Sequence, residues 1–169
     1  KVVSFEPIPS EFELLSKNIK INEYKNNILS TYGLFNEQKE FILEKPLVKS
    51  RINLNKKEAL SNDIVIKCRV FDEIKENLGI SKVDLFKMDI EGAEFSALLG
   101  MEKTLIKDKP LLMIEVHPEQ LIEFGYSLRE MIDFLSKFNY KFYPIDISKK
   151  EFFKTINKTS NDVFHLFCK

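Results

Sequence analysis

The sequence is short of most features that announce a chemistry at a glance. Its only cysteines, Cys68 and Cys168, stand far apart and in no metal-ligand spacing. That excludes a zinc finger or a disulfide framework and suits a reducing compartment. No P-loop, G-x-S-x-G or H-E-x-x-H occurs, which removes several enzyme classes. Charge of either sign is not in excess: 26 basic residues face 26 acidic ones, so no global field marks nucleic acid or an anionic membrane as a partner. No apolar run reaches membrane-spanning length and no signal-peptide pattern opens the chain, so the expectation is a cytoplasmic protein without a membrane span. Internal repeats and low-complexity segments are absent too. Lys1, rather than an initiator Met, leads straight into Val2-Val3-Ser4-Phe5, and the expectation is a chain whose beginning has been cut away.

What is present is enough for one domain: 169 residues, 44% of them hydrophobic, can bury a real core. The pattern alternates strand and helix. Lys1 to Phe5 reads as a strand ended by Pro7 and Pro9. Ser10 to Ile21 reads as a helix, with Ser10 and Glu13 in capping-box spacing, Phe12, Leu15 and Ile19 on one face, and Asn22 as a left-handed stop. A strand follows over 28–32, ending at Gly33. From 37 to 62 the pattern loosens into a strand at Phe41-Ile42-Leu43 and a basic excursion with Lys45, Lys49, Arg51, Lys56 and Lys57, either a substrate-covering flap or a solvated hairpin. Strands recur at 64–70, 83–88 and 111–116. Between the first two, Asp72 should cap a short helix closed by Gly79, with Ile80 in apolar contact. Phe95, Leu98, Leu99 and Leu105 make the stripe of one further helix, and Ser127 with Glu130 repeats the capping-box spacing before another. The tail, 140–145 and 163–167, reads as an antiparallel strand pair at a sheet edge. The expected architecture is α/β, a mostly parallel sheet with helices on both faces.

The chain is organised around Lys87-Met88-Asp89-Ile90-Glu91-Gly92-Ala93-Glu94, where a buried strand meets a helix. Open α/β sheets bind their ligands at such carboxyl ends. Strand alternation puts Lys87 and Asp89 on one side; alternatively Asp89 is a helix cap and Glu91 and Glu94 merely complement the dipole. Glu115 and His117 end the next strand and, two apart, project together. If the strands are neighbours, Asp89, Glu91, Glu115 and His117 ring one pocket. Such a group could hold a cationic ligand, coordinate a hard metal or take a proton from a substrate hydroxyl, and no metal is assigned to it. Glu6, an acid at a strand tip before a helix, is placed either to accept hydrogen bonds from a ribose diol or simply to sit in a solvated loop. His165 reads as a packing residue inside the last strand.

Val3-Ser4-Phe5-Glu6-Pro7, Phe12-Glu13-Leu14-Leu15 with Asn18 and Ile19, Val83 to Glu94, and Ile114-Glu115-Val116-His117-Pro118 together resemble the FkbM family of S-adenosylmethionine-dependent methyltransferases. The resemblance implies a single Rossmann-like methyltransferase domain over 1–169, a three-layer sandwich with the aromatic tail as its antiparallel pair. It implies S-adenosylmethionine as cofactor. Glu6 would hold the ribose hydroxyls, Thr31 and Tyr32 would lie by the adenine, and Asp89 and Glu91 would face the methyl end. Tyr32 and Gly33 depart from the small residues common there. The reaction implied is O-methylation of a sugar, glycan or natural product, with Asp89, His117 or Glu115 accepting the proton, in that order. The partner is then a small-molecule or carbohydrate acceptor. The family's opening strand and glycine turn, of the form D-x-G-x-N-x-G, have no counterpart ahead of Val2, so the first strand of the fold is expected to be missing from this chain. Two other classes stay open: a non-catalytic or partner-dependent methyltransferase-fold binding module, and a nicotinamide-dependent dehydrogenase, which also places an acid after its second strand.

Overall fold

The computed structural model describes residues 1–43, 52–53, 63–157 and 162–169. The basic side chains of the excursion, Lys45, Lys49, Arg51, Lys56 and Lys57, lie outside the described residues. The β-branched opening forms β1 (Val2–Phe5), which pairs in parallel with β2 (Asn27–Ser30) after α1 (Pro9–Ile21). Parallel pairing brings the carboxyl ends of β1 and β2 to one edge, so Glu6 and Thr31 follow neighbouring strand tips.

The entry to α1 differs from the expected capping box. The helix begins at Pro9, whose fixed φ suits the first turn, and Ser10 bonds Glu11 instead of a backbone donor. Phe12, Leu15 and Ile19 are only half-buried, and α1 has no fully buried residue. The left-handed residue after it is Glu23, with φ 53°, while Asn22 keeps an ordinary φ and folds its side chain back onto Asn18.

A second sheet follows from β3 (Gly33–Leu34), β4 (Lys39–Leu43), β5 (Ile52–Asn53) and β6 (Ile64–Arg69), in the order β3-β6-β4-β5. Among the described residues its parallel pair is β3 with β6, and β4 lies antiparallel to both β5 and β6. The chain turns through α2 (Phe71–Ile74) and a left-handed Gly79, where Ile80 donates back to Lys75 and packs on the core as expected. Asp72 does not cap α2. Its carboxylate reaches across to the backbone N–H groups of Lys103 and Thr104, capping a later helix instead.

The third sheet runs β7-β8-β10-β9, built from β7 (Leu85–Met88), β8 (Leu111–Val116), β9 (Phe142–Pro144) and β10 (Phe164–Cys168). β7 and β8 are parallel, whereas β10 lies antiparallel to both β8 and β9, so the aromatic tail does form an antiparallel pair. Taken together the sheets are mixed, which corrects the mostly parallel expectation. Between β9 and β10, α7 turns the chain back instead of carrying it over in a parallel crossover, so that pair is antiparallel although a helix intervenes.

Helices cover this sheet: α3 (Glu94–Leu99), α4 (Glu102–Lys107), α5 (Pro118–Glu123), α6 (Leu128–Ser136) and α7 (Lys149–Asn157). The Ser127–Glu130 capping box opens α6 as its spacing predicts. The single helix expected through Leu105 is broken into α3 and α4 at Gly100. A Cβ there would lie 2.3 Å from the Phe35 carbonyl oxygen, so the second sheet is pressed against this point. The main core gathers Leu112, Ile114 and Val116 of β8, all fully buried, with Leu98, Leu105, Met131, Leu135 and Leu166. Each such side chain contributes about 2 kcal/mol on burial.

One ring joins the first and third sheets. Phe71 meets Phe5 of β1 edge-on at 6.1 Å and Phe86 of β7 at 4.8 Å. Among the described residues β1 pairs only with β2 and β7 only with β8, so each keeps an open edge.

Candidate functional site

The strand end of β7 runs into a tight turn, Asp89-Ile90-Glu91-Gly92, before α3 begins. Glu91 takes the left-handed conformation, φ 53°, which a non-glycine residue adopts at a cost of about 1 kcal/mol. Gly92 is required by two constraints. Its φ is 99°, and a Cβ would stand 2.3 Å from Gln120 Cβ and 2.7 Å from the Gln120 carbonyl carbon. The turn is therefore pressed onto α5. Ala93 is the N-cap of α3 and no side chain caps that helix, so Asp89 is not spent on capping.

Parallel pairing of β7 with β8 brings His117, the residue after β8, beside this turn. His117 is buried, and Nδ1 lies 3.0 Å from Glu94 Oε1. Nε2 faces Asp89 Oδ1 at 3.9 Å and Glu91 Oε2 at 3.7 Å, beyond hydrogen-bond range. Glu94 is fully buried. Its Oε1 also accepts the Gly92 N–H at 3.0 Å, while Oε2 has no partner among the described residues. The hydrogen bond to Glu94 holds the imidazole pKa above its usual value although burial opposes it, and the charges of Glu94, Glu91 and Asp89 act in the same raising direction.

Glu94, which the sequence pattern offers only as a dipole-complementing acid, is the residue that holds the His117 ring. A signal in the sequence is its place ahead of the mostly apolar stretch Phe95 to Leu99, where a carboxylate needs a partner.

Glu115 does not join this pocket. Two changes separate it from His117. His117 has left the strand to become the N-cap of α5, so strand alternation no longer relates the two. Glu115 lies directly across the ladder from His165, whose Nε2 is 3.4 Å from Glu115 Oε2 and whose Nδ1 bonds Asp146. His165 thus bridges two carboxylates and is not a packing residue.

At the other strand ends, Glu6 is half-buried and its Oε1 accepts the Ile8 N–H at 2.9 Å. Burial pushes its carboxyl pKa up, the Ile8 N–H opposes this, and Glu11 adds to the rise. Thr31 is exposed. Tyr32 is stacked by the Arg69 guanidinium, 4.6 Å from the ring centroid.

Acids and a histidine at the carboxyl ends of two parallel strand pairs, with helices packed around them, define an α/β protein of the kind that binds ligands beyond its strand tips. The chain belongs to the FkbM methyltransferase family: the profile described as Methyltransferase FkbM domain matches residues 1–142. Among solved structures, it is similar in fold to the methyltransferase FkbM from Methylobacillus flagellatus KT, with a TM-score of 0.61 at 17% identity. That alignment takes in 100% of this chain and 36% of the other, so the chain spans about a third of the length of that relative. No curated protein matches the sequence.

Proposed function

We propose that the chain is part of an S-adenosylmethionine-dependent methyltransferase that methylates a hydroxyl of a sugar, glycan or natural product in the cytoplasm. The observation that carries this reading is the convergence of Asp89, Glu91 and His117 at the β7 and β8 strand ends, in a chain whose family match covers both that site and the Glu6 strand tip.

In this reading Glu6 accepts the two ribose hydroxyls, with the Ile8 N–H fixing the carboxyl at its strand tip. Thr31 and the Arg69-backed face of Tyr32 lie toward the adenine. Asp89 and Glu91 face the methyl end, where the acceptor hydroxyl arrives. Methyl transfer is an in-line displacement: the acceptor oxygen bonds the methyl carbon, the carbon–sulfur bond breaks with its electron pair going to sulfur, and the hydroxyl proton leaves to Asp89. Alignment and exclusion of water supply much of the rate. Asp89 precedes His117 in this role because it is exposed and next to the open side, while His117 is held by Glu94. Glu115, turned toward His165, takes no part in this step.

The same reading includes a strand from outside these 169 residues. It would lie between β1 and β7, pairing with both open edges above Phe71, and would carry the glycine turn that cradles the methionine part of the cofactor. The three sheets would then form one methyltransferase domain.

Calorimetry on the full-length protein tests the cofactor. S-adenosylmethionine should bind, and Glu6→Ala should weaken it at least tenfold, through the loss of two charge-assisted hydrogen bonds. Absence of binding for both S-adenosylmethionine and its demethylated product would overturn the reading. Asp89→Asn should abolish methyl transfer while leaving the circular dichroism spectrum unchanged; wild-type turnover in that variant would remove Asp89 from the chemistry.

A further inference from the structure

The spacing of the site residues suits an ion better than it suits hydrogen bonds. We infer that Asp89, Glu91 and His117 form a divalent-cation site of the Mn²⁺ class, with Glu94 orienting the histidine.

One oxygen from each carboxylate and one imidazole nitrogen lie within 4.8 Å of one another. His117 Nε2 stands 3.9 Å from Asp89 and 3.7 Å from Glu91. Two ligand atoms each about 2.1 Å from a shared ion lie about 3 Å apart at a right angle and about 4 Å apart when opposed. The two histidine spacings fall inside that range. The two carboxylates must close toward each other to share an ion, and their side chains, 43% and 63% exposed, have room to turn inward.

A second observation comes from behind the ring. Glu94 is 0% exposed, binds Nδ1 at 3.0 Å and leaves Oε2 buried without a partner among the described residues. With Nδ1–H donating to Glu94, the imidazole turns its lone pair at Nε2 toward Asp89 and Glu91. This carboxylate–imidazole arrangement is how proteins fix the tautomer of a metal-binding histidine and raise its basicity.

The donor set narrows the ion. All-oxygen sites suit Ca²⁺ and Mg²⁺, whereas one imidazole with two carboxylates suits Mn²⁺ and its neighbours, Zn²⁺ among them. The exposed side of Asp89 and Glu91 leaves coordination positions open to solvent. Resting on the methyltransferase reading, the ion would bind the acceptor hydroxyl there and lower its pKa before attack.

The test uses Mn²⁺ alone, with no cofactor present, on the full-length protein. Electron paramagnetic resonance of free Mn²⁺ should show saturable uptake of one ion per chain. Asp89→Asn and Glu91→Gln, both at exposed positions, should each weaken uptake at least tenfold, and Glu94→Gln about ten- to a hundredfold. No saturable uptake, or unchanged affinity in Asp89→Asn combined with Glu91→Gln, overturns the proposal whatever becomes of Glu94→Gln. Calorimetry with S-adenosylmethionine in a chelator reads the methyltransferase proposal separately, so the two can fail independently.

Discussion

Glu91 shows how a single residue can be kept against its own conformational preference. Its left-handed backbone is disfavoured for any side chain, and its carboxylate sits near that of Asp89 in an already acidic turn. Glu91→Gly should relieve both and stabilise the fold by about 0.5–1 kcal/mol in urea titrations, the strain relief outweighing the extra freedom of glycine in the unfolded chain. The same variant should lose Mn²⁺ uptake. A stabilised protein that no longer binds the ion would mark Glu91 as a residue retained for its ligand; a destabilised one would show that the carboxylate has a structural partner.

At the scale of elements, caps and turns decide where helices begin and stop. Ser127 and Glu130 satisfy each other's neighbouring backbone donors, and Ser127→Ala should cost about 1 kcal/mol in the same titration. Gly100→Ala should cost more, because the added methyl meets the Phe35 carbonyl oxygen at 2.3 Å and one sheet must shift from the other. These two positions also show what the sequence made legible. The α6 cap was readable because both halves of the box are local. The close approach at Gly100 was not, because the Phe35 carbonyl it accommodates lies far away in the chain. The site divides the same way. Asp89, Glu91 and His117 were legible as strand-end residues, whereas the Glu94–His117 bond and the pairing of Glu115 with His165 depend on which strands lie side by side. Asp72, read as a cap for its own helix, caps α4 for the same reason: local spacing names a donor's nearest partner, and packing can supply a better one.

For the whole molecule, one nearly buried ion pair ties distant segments together. Lys75, at the end of α2, meets the Asp108 carboxylate beyond α4, and the same carboxylate accepts the Val83 N–H at 3.0 Å just before β7. Burial raises the Asp108 pKa, but the hydrogen bonds from Lys75 and Val83, together with nearby positive charge, more than offset it and leave the carboxyl below its usual range. A carboxyl lowered in the folded state contributes stability that is fully present above its unfolded pKa of about 4 and is lost as pH falls through the folded value. Asp108→Asn should therefore cost about 3 kcal/mol at neutral pH and flatten the acid limb of the stability profile. Urea midpoints across pH 2–7 would show whether wild type and variant converge at the acid end, as they should.

The open edges of β1 and β7, on either side of Phe71, bear on how these molecules behave toward one another. A bare strand presents rows of backbone donors and acceptors that accept any extended chain, a like molecule included. Most proteins hold such encounters off by mutual repulsion, but here 26 positive and 26 negative residues cancel and the isoelectric point is about 6.9. Near neutral pH this chain alone has sticky sides and no long-range field to keep its copies apart. Its colloidal stability should be poorest there and improve as the solution is moved to either side.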